Sequence, residues 1–316
     1  MAGEGSKRVV YAALGTDAVI AAAKLGVGLL TGSVAMLAEA AHSGADTINQ
    51  VFLLVSINLS DNPADEDHPF GHGKERFFWA FLAAVFIFVA GGMFSFYEGA
   101  KKLLEEGEHH GGVFWPSYLV LALAFLFDGG VLLYGMREAR RRARAARIGL
   151  IAFLRETPDV TLKAALYEDA AAIIGLVFAA LGLLLLQLTG DPTFDGLASI
   201  FIGVVLFAVA LMLGRETRDL LLGAAAAPRS RRAIREAIAE FPDVCAVVSL
   251  LTMQLGLNSV LVTGQVNIAD DLTTDDIERL LVRIAGRLRE VTPEVKNVYL
   301  EPRPVPRPGT RDASRD

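Results

Sequence analysis

The chain of 316 residues has one cysteine, Cys245. A lone thiol excludes a disulfide framework and any cysteine-cluster metal site. An excess of base is also missing. The 30 Lys and Arg stand against 36 Asp and Glu, a formal net charge of −6, which argues against nucleic acid as a general partner. Histidine is scarce, five in all. No HExxH motif or nucleophile constellation occurs, so a membrane-embedded hydrolase has no support and the chain is not expected to be an enzyme. No small-residue cleavage site precedes the first apolar run, so no cleavable signal peptide is expected.

Apolar residues are abundant. They make up 53% of the chain against 21% charged, with a mean hydropathy of +0.43. The charges cluster between long apolar runs, the pattern of an integral membrane protein. A hydrocarbon core of about 30 Å requires about 20 helical residues. Six segments meet that length, roughly 9–30, 33–59, 77–104, 114–136, 161–189 and 194–220. They lack the period-2 alternation of barrel strands, which leaves helices. Thr31-Gly32-Ser33 and Asp191-Pro192 read as tight hairpin turns.

Arginine sets the expected orientation. Arg137, Arg140, Arg141, Arg142, Arg144, Arg147 and Arg155 lie between spans four and five, with only Glu138, Glu156 and Asp159 against them. The positive-inside rule makes that loop cytoplasmic, which puts both termini of a six-span chain inside. The expected location is a multi-pass place in the cell (inner) membrane.

The chain changes character near Pro228. Residues 1–225 read as the transmembrane domain, 226–303 as a cytoplasmic C-terminal domain and 304–316 as a disordered tail. Within the second domain, 229–241 reads as a helix, and 244–254 and 259–268 as strands. In the latter, Val260, Val262, Val266 and Ile268 face one way and Leu261, Thr263, Gln265 and Asn267 the other. Thr273 with Asp276 begins a capped helix, and 295–301 is a last strand. The order α-β-β-α-β predicts a small, ferredoxin-like α+β sheet with two helices on one face.

A charge within the bilayer costs at least a few kcal/mol and calls for a reason. Span two carries Glu39, His42 and Asp46. His42 and Asp46 are four residues apart and share one helix face. An imidazole and a carboxylate are half of a tetrahedral divalent-metal site, though the pair alone serves equally well as a polar clasp between helices. Span five carries Glu168 and Asp169. Adjacent helical residues diverge by about 100°, so one is expected to meet span two, with Asp169 slightly favoured. These two further acids tip the reading toward an ion pathway. Asp17 and Lys24 in span one read as a structural ion pair or as end-snorkelling side chains. In the loop after span two, Asp65, His68 and His72 have the donor types to close on one divalent cation, and a solvated acidic loop is the alternative. His109 and His110, in an outer Glu/Gly-rich loop, read as incidental.

At these residues a resemblance can be named. Thr31-Gly32-Ser33, His42-x-x-x-Asp46, Pro63-Ala64-Asp65 and Phe70-Gly71-His72-Gly73-Lys74, set on six spans with a small tail domain, resemble the cation diffusion facilitators over residues 7 to 303. Arg155-Glu156-Thr157-Pro158-Asp159, Tyr167-Glu168-Asp169, Gly190-Asp191-Pro192 and Asp195 look like the family branch of mammalian zinc transporter nine, where a Glu-Asp pair replaces a fifth-span HxxxD. The resemblance implies a homodimer in the lipid bilayer that exports a divalent cation against protons by alternating access. It maps the transport site onto His42 and Asp46 with Glu168 or Asp169, and a loop site onto Asp65, His68 and His72. Zinc is the expected substrate. The oxygen-rich donor set leaves Mn2+, Fe2+, Co2+ and Cd2+ open. A membrane metal sensor or scaffold dimer is the competing reading. The tail has no histidine, so the binuclear zinc site of some family tails is expected to be absent.

Overall fold

The computed structural model describes residues 2–104 and 114–304, with side chains at 15 and from 18 onward. His109, His110, the Asp17 side chain and most of the expected disordered tail therefore lie outside the described residues. The described chain divides into two compact units. One comprises 1–59, 75–155 and 159–218, the other 60–74, 156–158 and 219–316. The loop 60–74 thus groups with the C-terminal part, although in sequence it lies between two spans.

The first unit is helical. Its elements are α1 (Ala2–Thr31), α2 (Val34–Ser60), α3 (Glu75–Phe86), a π-helical stretch (Ile87–Met93), α4 (Phe94–Leu104), α5 (Trp115–Ala145), α6 (Leu150–Glu156), α7 (Val160–Thr189) and α8 (Thr193–Leu222). Among the described residues four helices are long and apolar enough to cross a membrane: Glu75–Leu104, Trp115–Ala145, Val160–Thr189 and Thr193–Leu222. Ala18–Thr31 is a shorter apolar helix. The 27-residue α2 has the length, but Glu39, His42, Asp46, Asn49 and Gln50 dilute its apolar character.

Helix ends follow their chemistry. Gly32 and Gly190 close α1 and α7 with φ of 68° and 73°, a region that an L side chain enters at a cost. The Asp159 side chain caps α7 by accepting from the Leu162 amide at 3.1 Å. Asp195, at the start of α8 and fully buried, caps a different helix. Its carboxylate accepts from Ser33 Oγ at 2.6 Å and from the Val34 and Ala35 amides at 2.7 and 3.3 Å. The positive end of the α2 dipole meets that negative charge. Apolar packing fills the rest of the unit, with Met36, Ile87, Leu121, Leu176, Leu183, Ile202 and Leu206 at its centre. α4 and α8 touch backbone to backbone, since a Cβ on Gly99 would stand 2.6 Å from the Gly196 carbonyl oxygen. Such small-residue contacts are how membrane helices gain dispersion energy without a hydrophobic drive.

The second unit contains α9 (Pro228–Ala239), β1 (Val244–Gly256), β2 (Ser259–Ile268), α10 (Thr274–Val291) and β3 (Val295–Pro302). This is the α-β-β-α-β order, with a three-stranded sheet. β1 pairs antiparallel and β3 parallel to the central β2. Val260, Val262 and Val266 are buried against Ile234, Ile238, Leu280, Ile284 and Leu288 of the two helices. Thr273 and Asp276 form the capping box. Arg287 of α10 grips Glu240, just past α9, at 2.8 and 3.2 Å, which holds that carboxyl below its ordinary range. The opposite sheet face carries exposed residues. Leu251, Thr263 and Tyr299 are register partners and form one row across it. Leu251 is 66% and Tyr299 58% exposed.

Candidate functional site

Two groups of donor residues stand out, one in each unit. In the helical unit, α2 turns its polar face inward. His42 is buried, and its Nδ1 lies 3.6 Å from Asp46 Oδ1. That exceeds hydrogen-bond length, and neither ring nitrogen of His42 has a hydrogen-bond partner among the described residues. A buried polar group left unsatisfied costs about 1–3 kcal/mol, so it calls for an explanation. From α7, Glu168 reaches the same face. Its Oε2 accepts from Asn49 Nδ2, while its buried Oε1 has no hydrogen-bond partner.

Asp46, Asn49, Glu168 and Asp169 line one cavity of about 480 Å³. Asp169 is thus on the cavity wall with Glu168, although the two diverge around the helix. His42 is not part of the wall. Sequence reasoning missed two charged lining residues. Asp128 of α5 is a third-helix carboxylate on the wall, and Arg76 of α3 contributes the cavity's cation. Asp128 was detectable as an acid inside the apolar run Ala124-Phe125-Leu126-Phe127-Asp128-Gly129-Gly130, but it has no partner at metal-ligand spacing on its own helix.

Behind His42 lies a buried ion pair. Lys24 of α1 is fully buried and donates to Glu39 Oε2 at 3.0 Å and Ser43 Oγ at 2.8 Å. The described contacts of Lys24 are therefore with α2, and its full burial corrects the expectation of a snorkelling end, while the expected Asp17 partner lies outside the described residues. Glu39 also presses on α7, where a Cβ at Gly175 would collide with its Oε1. Glycine at 175 lets the carboxylate lie against that helix.

The second group is compact. Asp65, His68 and His72 each offer a donor atom, and these atoms lie within 4.8 Å of one another. Among the described residues no other three His, Cys, Asp or Glu converge so closely, the four candidates on α2 and α7 included. Asp65 Oδ1 accepts from the His68 amide at 2.6 Å. Asp65 Oδ2 is 3.0 Å from His72 Nε2. The hydrogen bond from His72, then that from the His68 amide, holds the Asp65 carboxyl down at about 2. The histidine rings lie 4.1 Å apart between centroids, tilted by 39°.

The surrounding motif explains this geometry. Gly71 turns the chain with φ of 81°, and its amide donates to the His68 carbonyl at 2.9 Å. Gly73 lies against the β1–β2 hairpin, where a Cβ would sit 2.6 Å from the Leu255 carbonyl oxygen. Lys74 Nζ donates to the Leu221 carbonyl at 3.3 Å. The glycines of Phe70-Gly71-His72-Gly73-Lys74 thus dock the loop so that His72 can meet Asp65.

Membrane-length helices around an acid-lined cavity, with a buried imidazole beside it that makes no hydrogen bond, fit a membrane protein that handles cations. Comparison with known proteins agrees. Residues 10–222 match the cation efflux transmembrane domain, and the chain belongs to the cation efflux, or cation diffusion facilitator, family. It is a multi-pass membrane protein of a family of metal-cation transporters, not enzymes. It is 30% identical over 304 residues to the human "Proton-coupled zinc antiporter SLC30A9, mitochondrial", covering 94% of this chain and 52% of that one. The Xenopus laevis protein of the same name is 31% identical over 264 residues, 84% of this chain and 47% of the relative. The chain spans about half the length of these curated relatives. The cation-efflux pump FieF of Shewanella oneidensis is 26% identical over 296 residues, 92% of this chain and 94% of that one.

Proposed function

We propose that this chain exports a divalent metal cation, zinc foremost, in exchange for protons by alternating access. The observation that carries the reading is the buried His42, with no hydrogen bond to either nitrogen, beside an acid-lined cavity. His42 and Asp46 from α2, with Asp169 or Glu168 from α7, hold the transported ion. A ligand must be deprotonated to bind a metal, so protons and metal compete for the same lone pairs. A site open to the cytoplasm loads metal as protons leave. Once it is open to the more acidic side, protonation drives the ion off. Rocking of helices about a fixed site supplies the change of access.

Asp65, His68 and His72 bind a second divalent ion in a supporting role. The working unit is a homodimer in the bilayer, partly joined through the open sheet face. Its membrane domain is 1–225, six spans with both termini cytoplasmic, and its C-terminal domain is 226–303. The name of the human and Xenopus relatives supports proton coupling and zinc. That name also places those proteins in mitochondria, whereas the cell (inner) membrane is proposed for this chain.

The carboxylates around the cavity favour one variant reading, an exporter of a harder ion such as Mn2+, Fe2+ or Co2+. Metal uptake into proteoliposomes, run across Zn2+, Mn2+, Fe2+, Co2+ and Cd2+ with and without an imposed pH gradient, tests both. Gradient-driven zinc flux is expected. Metal binding without flux under any gradient would leave a sensor or scaffold dimer.

A further inference from the structure

We propose that Asp128 is a ligand of the transported ion, contributed by a third helix. The inference rests on the transport-site reading and completes its donor set. α2 supplies His42 and Asp46. α7 supplies one of Glu168 and Asp169 to any single point, because adjacent helical side chains diverge by about 100°. That makes three donors, whereas zinc takes four and the harder divalent ions take six. Asp128 lines the same cavity of about 480 Å³ as Asp46, Glu168 and Asp169, and it lies within electrostatic reach of His42.

Close packing holds it there. A Cβ on Gly129 would stand 3.7 Å from Ile173 Cδ1, and one on Gly135 would stand 3.1 Å from Leu166 Cδ2. α5 and α7 therefore run against each other from the residue next to Asp128 onward, over the following two turns of α5. Phe125, Leu126 and Phe127 are exposed, while Asp128 is half-buried and on the cavity wall. The acids are not the only indication of a ligand. Glu168 lines this cavity, is 93% buried by its 7% exposure, and keeps Oε1 without a hydrogen bond. Four carboxylates against Arg76 leave the wall with a negative excess that a divalent ion offsets.

The test uses the full chain in detergent, carrying His68→Ala and His72→Ala so that only the intramembrane site is read. Zn2+ and Mn2+ binding is measured by equilibrium dialysis. Asp128→Asn, which keeps the shape and removes the charge, is expected to weaken both at least tenfold. Mn2+ should suffer more, because an oxygen donor is lost and His42 remains. Asp128→Glu should recover part of the loss. Binding of both metals within twofold of the parent by Asp128→Asn would overturn the inference. If Asp128→Asn is not monodisperse, Asp128→Glu carries the test: a changed Zn2+/Mn2+ preference supports the assignment and an unchanged one overturns it. Asp46→Ala separates the two levels. If Asp46→Ala abolishes binding while Asp128→Asn does not, only Asp128 is wrong. If binding survives Asp46→Ala, the transport site itself is wrong.

Discussion

On the proposed reading, transport depends on the residues around His42 and folding on the Lys24 pair behind them. Asp46→Ala is expected to abolish flux in proteoliposomes, since it removes a charge that offsets the ion in a low-dielectric bundle. His42→Ala should retain some flux and shift preference away from zinc, because it deletes the soft nitrogen donor. Asp169→Asn and Glu168→Gln, made separately, identify the α7 ligand. The ligand variant loses flux and the other loses mainly stability, with Glu168 already engaged by Asn49. The pair behind the site has its own signature. Lys24→Met leaves Glu39 buried and charged, which should cost about 3–5 kcal/mol of stability. Adding Glu39→Gln should recover much of it, as read by unfolding in detergent. Equal destabilisation by the single and double variants would show that Lys24 acts through packing instead.

Helices and loops show what individual side chains do for an element. Asp195 satisfies the N-terminus of α2 with three hydrogen bonds. Asp195→Ala should cost about 2–3 kcal/mol, because two buried amides and a hydroxyl lose their acceptor. It should also loosen the α1–α2 turn, which hydrogen exchange at Val34 and Ala35 would report. In the loop, His68→Ala with His72→Ala should lower the bound-metal count while leaving part of the flux, and an unchanged count would remove this site. The pH behaviour follows from Asp65. Its carboxyl is held at about 2, below the unfolded value of about 3.9. The loop contact that this reflects is present above the unfolded value and is lost as pH falls through about 2. Across the mildly acid range Asp65 therefore stays ionised.

For the molecule as a whole, the uncovered sheet row and the arginine loop make the decisive predictions. Leu251 and Tyr299 are exposed on the sheet face away from α9 and α10. A second copy covering that face is the proposed dimer contact. Leu251→Asp should shift light-scattering mass in mild detergent toward the monomer, whereas an unchanged dimer would move the contact elsewhere. A cysteine at Ala145, in a Cys245→Ser background, should resist membrane-impermeant label applied outside intact cells. Labelling there would reverse the proposed topology.

Much of this was readable from the chain alone, because local chemistry dictates local structure. The period-2 valines of β2, the Thr273–Asp276 box and the long apolar runs each carry their own instruction within a few residues. His42 and Asp46 were legible as one helix face for the same reason, and Asp65, His68 and His72 as a short-range cluster. What depends on which helix packs against which was not legible. Lys24 is paired with Glu39 and Ser43 across a hairpin. Asp195 caps a helix about 160 residues away. Asp128 is brought to the cavity by the packing of α5 on α7, which no spacing on its own helix encodes. The π-helical stretch at Ile87–Met93 and the grouping of loop 60–74 with the C-terminal unit belong with these. A periodic pattern reports which face of an element is apolar, whereas the partner for each buried charge is chosen by the whole packed structure.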